Sequence, residues 1–357
     1  MKSIVSSGCE VHFDKLCYEA LNEFISVKNP SKIIVLVDTN TQEYCLKLFL
    51  SQLKTNIHFE VLSIEAGEEY KTIDTCLKLW NELSNLGTDR ESLIINLGGG
   101  VITDLGGFVA CTFKRGIRYI NVPTSLLAMV DASVGGKTGV DLGNLKNQIG
   151  VIDSGEMVLV DIDYLKTLPE NQLKSGYSEM LKHGLIYDRD YWDRLKNHKD
   201  LSDINLSNEI HRSVEIKNEI VKEDPYEKGL RKTLNFGHTL GHAVESYFLS
   251  LEDGTPLLHG EAIGIGMILE SYISSELLNF PKDDLAQITQ VFNCLFNNIH
   301  IEIDQQQAII ELMKFDKKNS HGNINFVLLE EIGKPKIDCI VKNSVILEAF
   351  EYYNKSL

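Results

Sequence analysis

Two kinds of hydrophobic spacing divide this chain. In the first half, short apolar runs rich in Val and Ile recur at 33–38 (IIVLVD), 59–64, 93–98, 119–123 and 158–162. Unbroken runs of this length, bounded by Gly, Pro or Asp, predict strands buried on both faces. Between them, 41–50 and 72–86 space their apolar residues at helical intervals. Alternation of strand and helix predicts a parallel sheet covered on both faces. Beyond about Lys166 the strand signals nearly vanish. Residues 171–188, 207–222, 231–248, 259–278, 283–297 and 305–314 read as helices with charged opposite faces, and one extended piece, 324–329, interrupts them. A proline follows the last strong strand, which places the boundary at Leu168 and Pro169. The pattern therefore predicts an α/β domain over 1–168 and a mainly helical domain over 169–357.

The 357 residues, 43% of them hydrophobic, suffice for two cores. The formal charge of -16, from 35 Lys+Arg against 51 Asp+Glu, carries no basic stripe and argues against nucleic acid. An anionic small molecule remains compatible if basic groups cluster locally. No apolar run approaches the roughly 18 residues of a membrane span. "SSGC" at 6–9 lacks the apolar stretch that a lipoprotein leader needs. Seven scattered cysteines without a C-x-x-C give no disulfide framework and fit a reducing cytoplasm.

"NLGGGVITDLGGFVA" (96–110) sets five glycines directly behind an apolar run. The dinucleotide fingerprint G-x-G-x-x-G fits Gly98 and Gly100 but meets Thr103 at its third glycine. The physical setting is still suited to a pyrophosphate: a strand ends, glycines admit the backbone closely, and a helix start near Thr103 and Asp104 offers free N–H groups. Tight helix packing is the plainer explanation of the same glycines. Asp38, at a strand end, could hold ribose hydroxyls or simply cap a turn. "DASVGGKTGVD" (131–141) is not a P-loop, because Asp131 stands where the first glycine belongs and no strand directly precedes it. It leaves Lys137, with Lys146 and Asn147, on a glycine-rich stretch able to receive an oxyanion.

"LRKTLNFGHTLGHAVE" (230–245) puts His238 and His242 four apart, on one helical face. The H-E-x-x-H zinc pattern is absent, since Thr239 follows His238. His259 opens the next helix, and Glu179 with Lys182 lies on an earlier one. Two histidines and a glutamate with an open position suit catalytic zinc or cobalt. Basic and polar residues gather in the same segments: Lys217, Arg231, Asn235, Lys317, Lys318, Arg115 and Arg118. Beside a metal they would suit a phosphorylated, carboxylated substrate.

Seven segments in order, "GEEYK", "GGGVITDLGGFVA", "VPTSLLAMVDASVGGKTGVD", "LKNQIG", "GYSEMLKHG", "EKGLRKTLNFGHTLGHAVE" and "HGEAIGIGM", resemble the 3-dehydroquinate synthase family from about Val35 to Leu329. The resemblance implies an α/β N-terminal domain with a parallel, Rossmann-like sheet and a mainly α-helical C-terminal domain. It implies conversion of 3-deoxy-D-arabino-heptulosonate 7-phosphate to 3-dehydroquinate and phosphate, the second step of the shikimate pathway, with NAD and one divalent cation. By that resemblance Glu179, His238 and His259 match the metal ligands. Gly99, Gly100, Asp104, Asp38, Glu68, Lys71, Thr124, Ser125 and Lys146 match the NAD site. Asp131, Lys137, Asn147, Lys182, Lys217, Arg231, Asn235, His242 and Lys317 match residues that hold or act on substrate. Arg115 matches an arginine that reaches the neighbouring subunit's substrate phosphate, which implies a homodimer. The chain departs from the family at Asn171 and Gln172, and in lacking a proline in "GVDLGNLKN". Another sugar-phosphate cyclase, and a metal-dependent polyol dehydrogenase, are the rival readings; a binding module would need a purely structural metal cluster.

Overall fold

The computed structural model describes residues 1–6, 8–143, 145–198, 201, 206–251, 257–297, 299–313 and 324–357. Lys317 and Lys318 therefore lie outside the described residues. The chain forms two compact units: residues 1–169 together with 206–222, and residues 170–205 together with 223–357.

Among the described residues, the first unit is built on nine strands: β1 Ile4–Val5, β2 Glu10–Phe13, β3 Ile33–Asp38, β4 Phe59–Ile64, β5 Leu93–Gly98, β6 Arg118–Pro123, β7 Lys137–Leu142, β8 Leu145–Ile152 and β9 Met157–Val160. Seven of them make one sheet in the order β1-β2-β9-β6-β5-β3-β4. All its pairs are parallel except β1 with β2. Residues of β3 and β5 are buried almost throughout, as expected for strands covered on both faces. The chain leaves β3 toward β4 on one side and returns to lay β5 on the other, from where it proceeds to β6. The neighbours β3 and β5 thus form a topological switch point, and the crevice beyond their carboxyl ends is where such sheets bind ligands. Asp38 ends β3 and Gly98 ends β5.

The helix after β5 runs from Gly100 to Thr112, with Gly99 in extended conformation as its N-cap. It starts inside the glycine run, not near Thr103, because extended Gly99 already turns the chain into the helix. Ile102, Leu105, Phe108 and Val109 bury one side of it against Ile34, Leu36 and Ile94, each apolar side chain worth about 1.5–3 kcal/mol. Lys137, Lys146 and Asn147, expected from sequence on a glycine-rich stretch, sit instead on an antiparallel ribbon of β7 and β8. Gly139 and Gly150 face each other there, and a Cβ on either would come within 2.4 Å of a facing carbonyl oxygen.

The second unit holds the helices Glu170–Tyr187, Arg189–Leu195, His238–Leu249, His259–Leu278, Lys282–Leu295, Ile303–Leu312 and Asn343–Ser356. A hairpin, β10 Asn325–Glu331 with β11 Lys334–Ile340, packs with them. The stretch 231–248 is not one helix. A 3-10 turn over Leu230–Asn235 stops at Gly237, whose φ of 78° breaks the helical path before His238. The helix Leu206–Glu223, assigned by sequence to the helical half, belongs to the first unit. Its His211 ring lies 4.7 Å from that of Phe13, and Asn218 donates to the Val5 carbonyl.

Candidate active site

Three helices of the second unit converge on Glu179. Its Oε1 is 3.6 Å from Nε2 of His238 and 3.6 Å from Nε2 of His259. Two close contacts set this spacing. Gly260, next to His259, lets its helix touch the Glu179 helix, where a Cβ would fall 2.3 Å from the Ser175 carbonyl oxygen. The Gly260 N–H donates to Ser175 Oγ at 2.9 Å. Gly266 likewise admits the chain at Gly237, just before His238.

Both imidazoles are held by their other nitrogen. Nδ1 of His238 lies 3.0 Å from the Phe236 carbonyl oxygen, and Nδ1 of His259 lies 3.3 Å from Glu245 Oε2. Such outer partners orient the imidazoles that ligate metals. Burial works against charging His259, yet Glu245 and Glu179 outweigh it and push its pKa up to about 10. The carboxylates of Glu245 and Glu179 thus favour positive charge at His259, which a divalent cation would also supply. A tetrahedral ion with bonds near 2.0–2.2 Å sets its donors about 3.3–3.6 Å apart, and the 3.6 Å spacings from Glu179 Oε1 fit zinc or cobalt.

His242 joins this cluster, its ring 5.1 Å from that of His238 and 5.8 Å from that of His259. His242, Glu245 and His259 also bring donors within 4.8 Å of one another. Glu179 is wholly buried while His259 already gives Nδ1 to Glu245, which favours Glu179, His238 and His259 as the primary set. Glu245 was not read from the sequence. Its signal is there: His238, His242 and Glu245 stand at i, i+4 and i+7 on one helical face.

Lys182, 1% exposed, forms an ion pair with Glu179 one turn away. Arg231, 3% exposed, donates to the Pro225 carbonyl at 2.8 Å. Its loop is tied by Asp224, which accepts the backbone N–H of Lys228, Gly229 and Arg231. Desolvation opposes that carboxylate, but the three donors hold its pKa below the usual range. Asn235 donates from Nδ2 to Glu227 Oε1 at 2.7 Å.

The first unit gathers a second set. Buried Lys71 donates to Asp104 at 2.7 Å and to Asn147 at 2.7 Å. Burial disfavours its ammonium, but Asp104, Glu68 and Asp141 raise its pKa. Lys146 pairs with Glu68 at 2.8 Å. Gly99 and Gly100 are less confined: a Cβ would sit 3.3 Å from Ser125 Oγ, which a small shift of that side chain relieves, and 3.4 Å from Ala132 Cβ. Gly98, Gly106 and Gly107 are packing glycines, where a Cβ would fall within 2.5 Å of Ile102, Asn96 or Thr138. Thr124 donates its N–H to the Gly98 carbonyl, and Ser125 Oγ accepts from Ala128 N–H. Asp38 realises the plainer of its two readings, its Oδ1 capping the next helix from Thr41 N–H at 2.7 Å. Asp131 pairs with Lys217 at 2.6 Å within this unit. Lys137 and Arg115 are exposed.

The fold is similar to that of the 2-epi-5-epi-valiolone synthase from Streptomyces hygroscopicus subsp. jinggangensis with NAD+ and Zn2+ bound, at TM-score 0.85 and 24% identity over 99% of each chain. It is also similar to a 2-deoxy-scyllo-inosose synthase complexed with carbaglucose-6-phosphate, NAD+ and Co2+, at TM-score 0.81 and 26% identity over 100% of this chain and 99% of the other. The architecture is thus that of the dehydroquinate synthase-like sugar-phosphate cyclases. Within that class, residues 61–175 match the model of the 3-dehydroquinate synthase N-terminal domain and 176–319 that of the C-terminal domain. The 3-dehydroquinate synthase of Parabacteroides distasonis is 42% identical over 339 residues, 94% of this chain and 95% of that protein. The chain belongs to the 3-dehydroquinate synthase family.

Proposed function

We propose that the chain is a carbon–oxygen lyase that converts 3-deoxy-D-arabino-heptulosonate 7-phosphate to 3-dehydroquinate and phosphate. The route is transient oxidation, phosphate elimination, re-reduction, ring opening and aldol closure. The observation that carries the reading is the set of Glu179, His238 and His259 with outer partners on both imidazoles. When bound, NAD supplies a hydride acceptor that is regenerated in the cycle, and zinc or cobalt supplies a Lewis acid for the substrate carbinol.

The protein's own groups do the rest. Glu179, His238 and His259 hold the cation. Gly99 and Gly100, with Asp104, would let the helix start approach the NAD pyrophosphate, and Glu68, Lys71, Lys146, Thr124 and Ser125 would line other parts of the NAD site. Asp38 would use its second oxygen for ribose. Lys182, Arg231, Asn235, Lys137, Asn147, Lys217, Asp131 and Lys317 receive the substrate's carboxylate, hydroxyls and phosphate. His242, beside both ligating imidazoles, holds and relays a proton at the reacting hydroxyl, while the departing phosphate takes the neighbouring C–H proton. Holding the reactant in one pose accounts for much of the acceleration.

Arg115 would reach the phosphate bound by a second copy, making the working unit a homodimer. Lys114 and Arg115 at φ 50° and 70° form a strained turn that presents an exposed arginine, the kind of backbone cost that clusters at functional sites. A cytoplasmic location is part of this reading; the free thiols among the described residues are compatible with it.

The assay is phosphate release from the heptulosonate phosphate, followed beside absorbance of NADH. Release without net NADH is the expected result. Preferred release from sedoheptulose 7-phosphate or glucose 6-phosphate would move the chain to another cyclase. Stoichiometric NADH would make it a polyol dehydrogenase.

A further inference from the structure

The helix that carries His238 begins without a cap of its own. Its N-cap is Gly237, at φ 78°, where a Cβ would lie 2.3 Å from Met267 Cγ. No capping side chain fits there, yet the first N–H groups of a helix need acceptors. The acceptor comes from the neighbouring helix. Glu270, on His259–Leu278 and wholly buried, accepts from Gly237 N–H at 2.6 Å and from Leu240 N–H at 3.2 Å. Leu240 is the third residue of its helix, the position whose N–H an Asp or Ser cap would bind. Both carboxylate oxygens are thus used by a helix start, where the dipole favours negative charge.

The two helices joined in this way are those that begin with His238 and His259. We propose that Glu270 is a positioning residue of the metal centre, capping from outside the helix that carries His238 and fixing that histidine relative to His259. The proposal rests on the reading of Glu179, His238 and His259 as the cation's ligands. A glutamine keeps the shape of Glu270 but sets an N–H₂ against one of the two N–H donors. An aspartate keeps the charge but falls short by one methylene. Either moves the first turn of the helix, and with it Nε2 of His238.

The test is titration of the metal-free protein with cobalt(II), read by affinity and by the visible absorption band. Glu270→Gln is expected to weaken cobalt binding roughly 10–100-fold, the range seen for outer partners of metal ligands, and to shift the band. Glu270→Asp is expected to retain part of the affinity, and it decides the matter alone should the glutamine variant not fold. Ser274→Ala is the stability control. Its hydroxyl donates to the Glu270 carbonyl at 2.6 Å and accepts from Leu329 N–H at 2.9 Å, so its loss loosens the same helix without touching the cap. It should lower the unfolding midpoint and leave cobalt affinity and spectrum at parental values. Parental affinity and spectrum in the folded Glu270 variants would overturn the proposal and leave Glu270 a structural cap. A His238→Ala protein that binds cobalt as the parent does would instead overturn the ligand reading itself.

Discussion

Gly99 and Gly106 belong to one glycine-rich run but answer to different constraints. At Gly106 a Cβ would fall 2.1 Å from Asn96 Oδ1, and Asn96 is held in the sheet by its bond to Asn121. Overpacking of this kind costs about 1–3 kcal/mol and outweighs the gain of up to about 1 kcal/mol from placing Ala in a helix. Gly106→Ala should therefore lower the urea unfolding midpoint while the folded protein keeps parental NAD affinity. Gly99→Ala should leave the midpoint near parental and weaken NAD binding at least tenfold, read by cofactor fluorescence. The reverse outcome would remove the pyrophosphate from Gly99. At this scale the sequence was partly legible. His238 and His242 declare a shared face by their spacing, and Glu179 and His259, also candidates by residue type, lie beside His238 in the structure. Glu270 was not legible, because a carboxylate that caps a helix from another helix leaves no local pattern. Asp38 shows the opposite difficulty: one residue type at one strand end serves a cap and a ligand site equally well.

Among elements, Lys71 is the tie. It bonds Asp104 on the helix after β5 and Asn147 on β8, and its own carbonyl accepts the Asp141 N–H. Lys71→Met would leave the Asp104 carboxylate, 17% exposed, without its counter-charge. Breaking a buried pair from one side costs about 3 kcal/mol or more. The loss should depend on pH in a definite sense. Burial already raises the Asp104 pKa, and Lys71 is the main influence opposing it. Without Lys71 the folded pKa climbs further above the unfolded value of about 3.9. A carboxyl raised in this way destabilises the fold fully above its folded pKa, and the penalty fades as pH falls through that value. Urea unfolding should thus separate variant from parent more at pH 8 than at pH 5; an equal gap at both would refute the assignment. The parallel strands were readable from their unbroken apolar runs. The β7 and β8 ribbon was not, because Gly139 and Gly150, which look like loop residues, are the pair that lets its strands close.

For the whole molecule, the helix Leu206–Glu223 matters most. Its apolar spacing revealed a helix but could not reveal which unit it serves, since that depends on partners far along the chain. A fragment of residues 1–169 lacks it, exposing the surface around Phe13 and leaving Asp131 without Lys217. The fragment should unfold at lower temperature, and a synthetic peptide of residues 206–222 should raise the midpoint; no response to the peptide would argue that the helix adds nothing. The dimer reading has its own test at this scale. An Arg115→Ala chain keeps its own site, and a Glu179→Ala chain keeps its arginine. Mixing the two inactive proteins should restore phosphate release, because one site in each mixed dimer is complete. Continued inactivity would place Arg115 in its own subunit's chemistry or outside it. The chain passes between the two units three times, after residues 169, 205 and 222. On the ribosome, every strand of the large sheet emerges before residue 170, yet the last helix of that unit arrives only after an excursion into the other. Synthesis therefore interleaves the two bodies, and a pause before residue 222 would hold a nascent sheet whose surface around Phe13 is still bare.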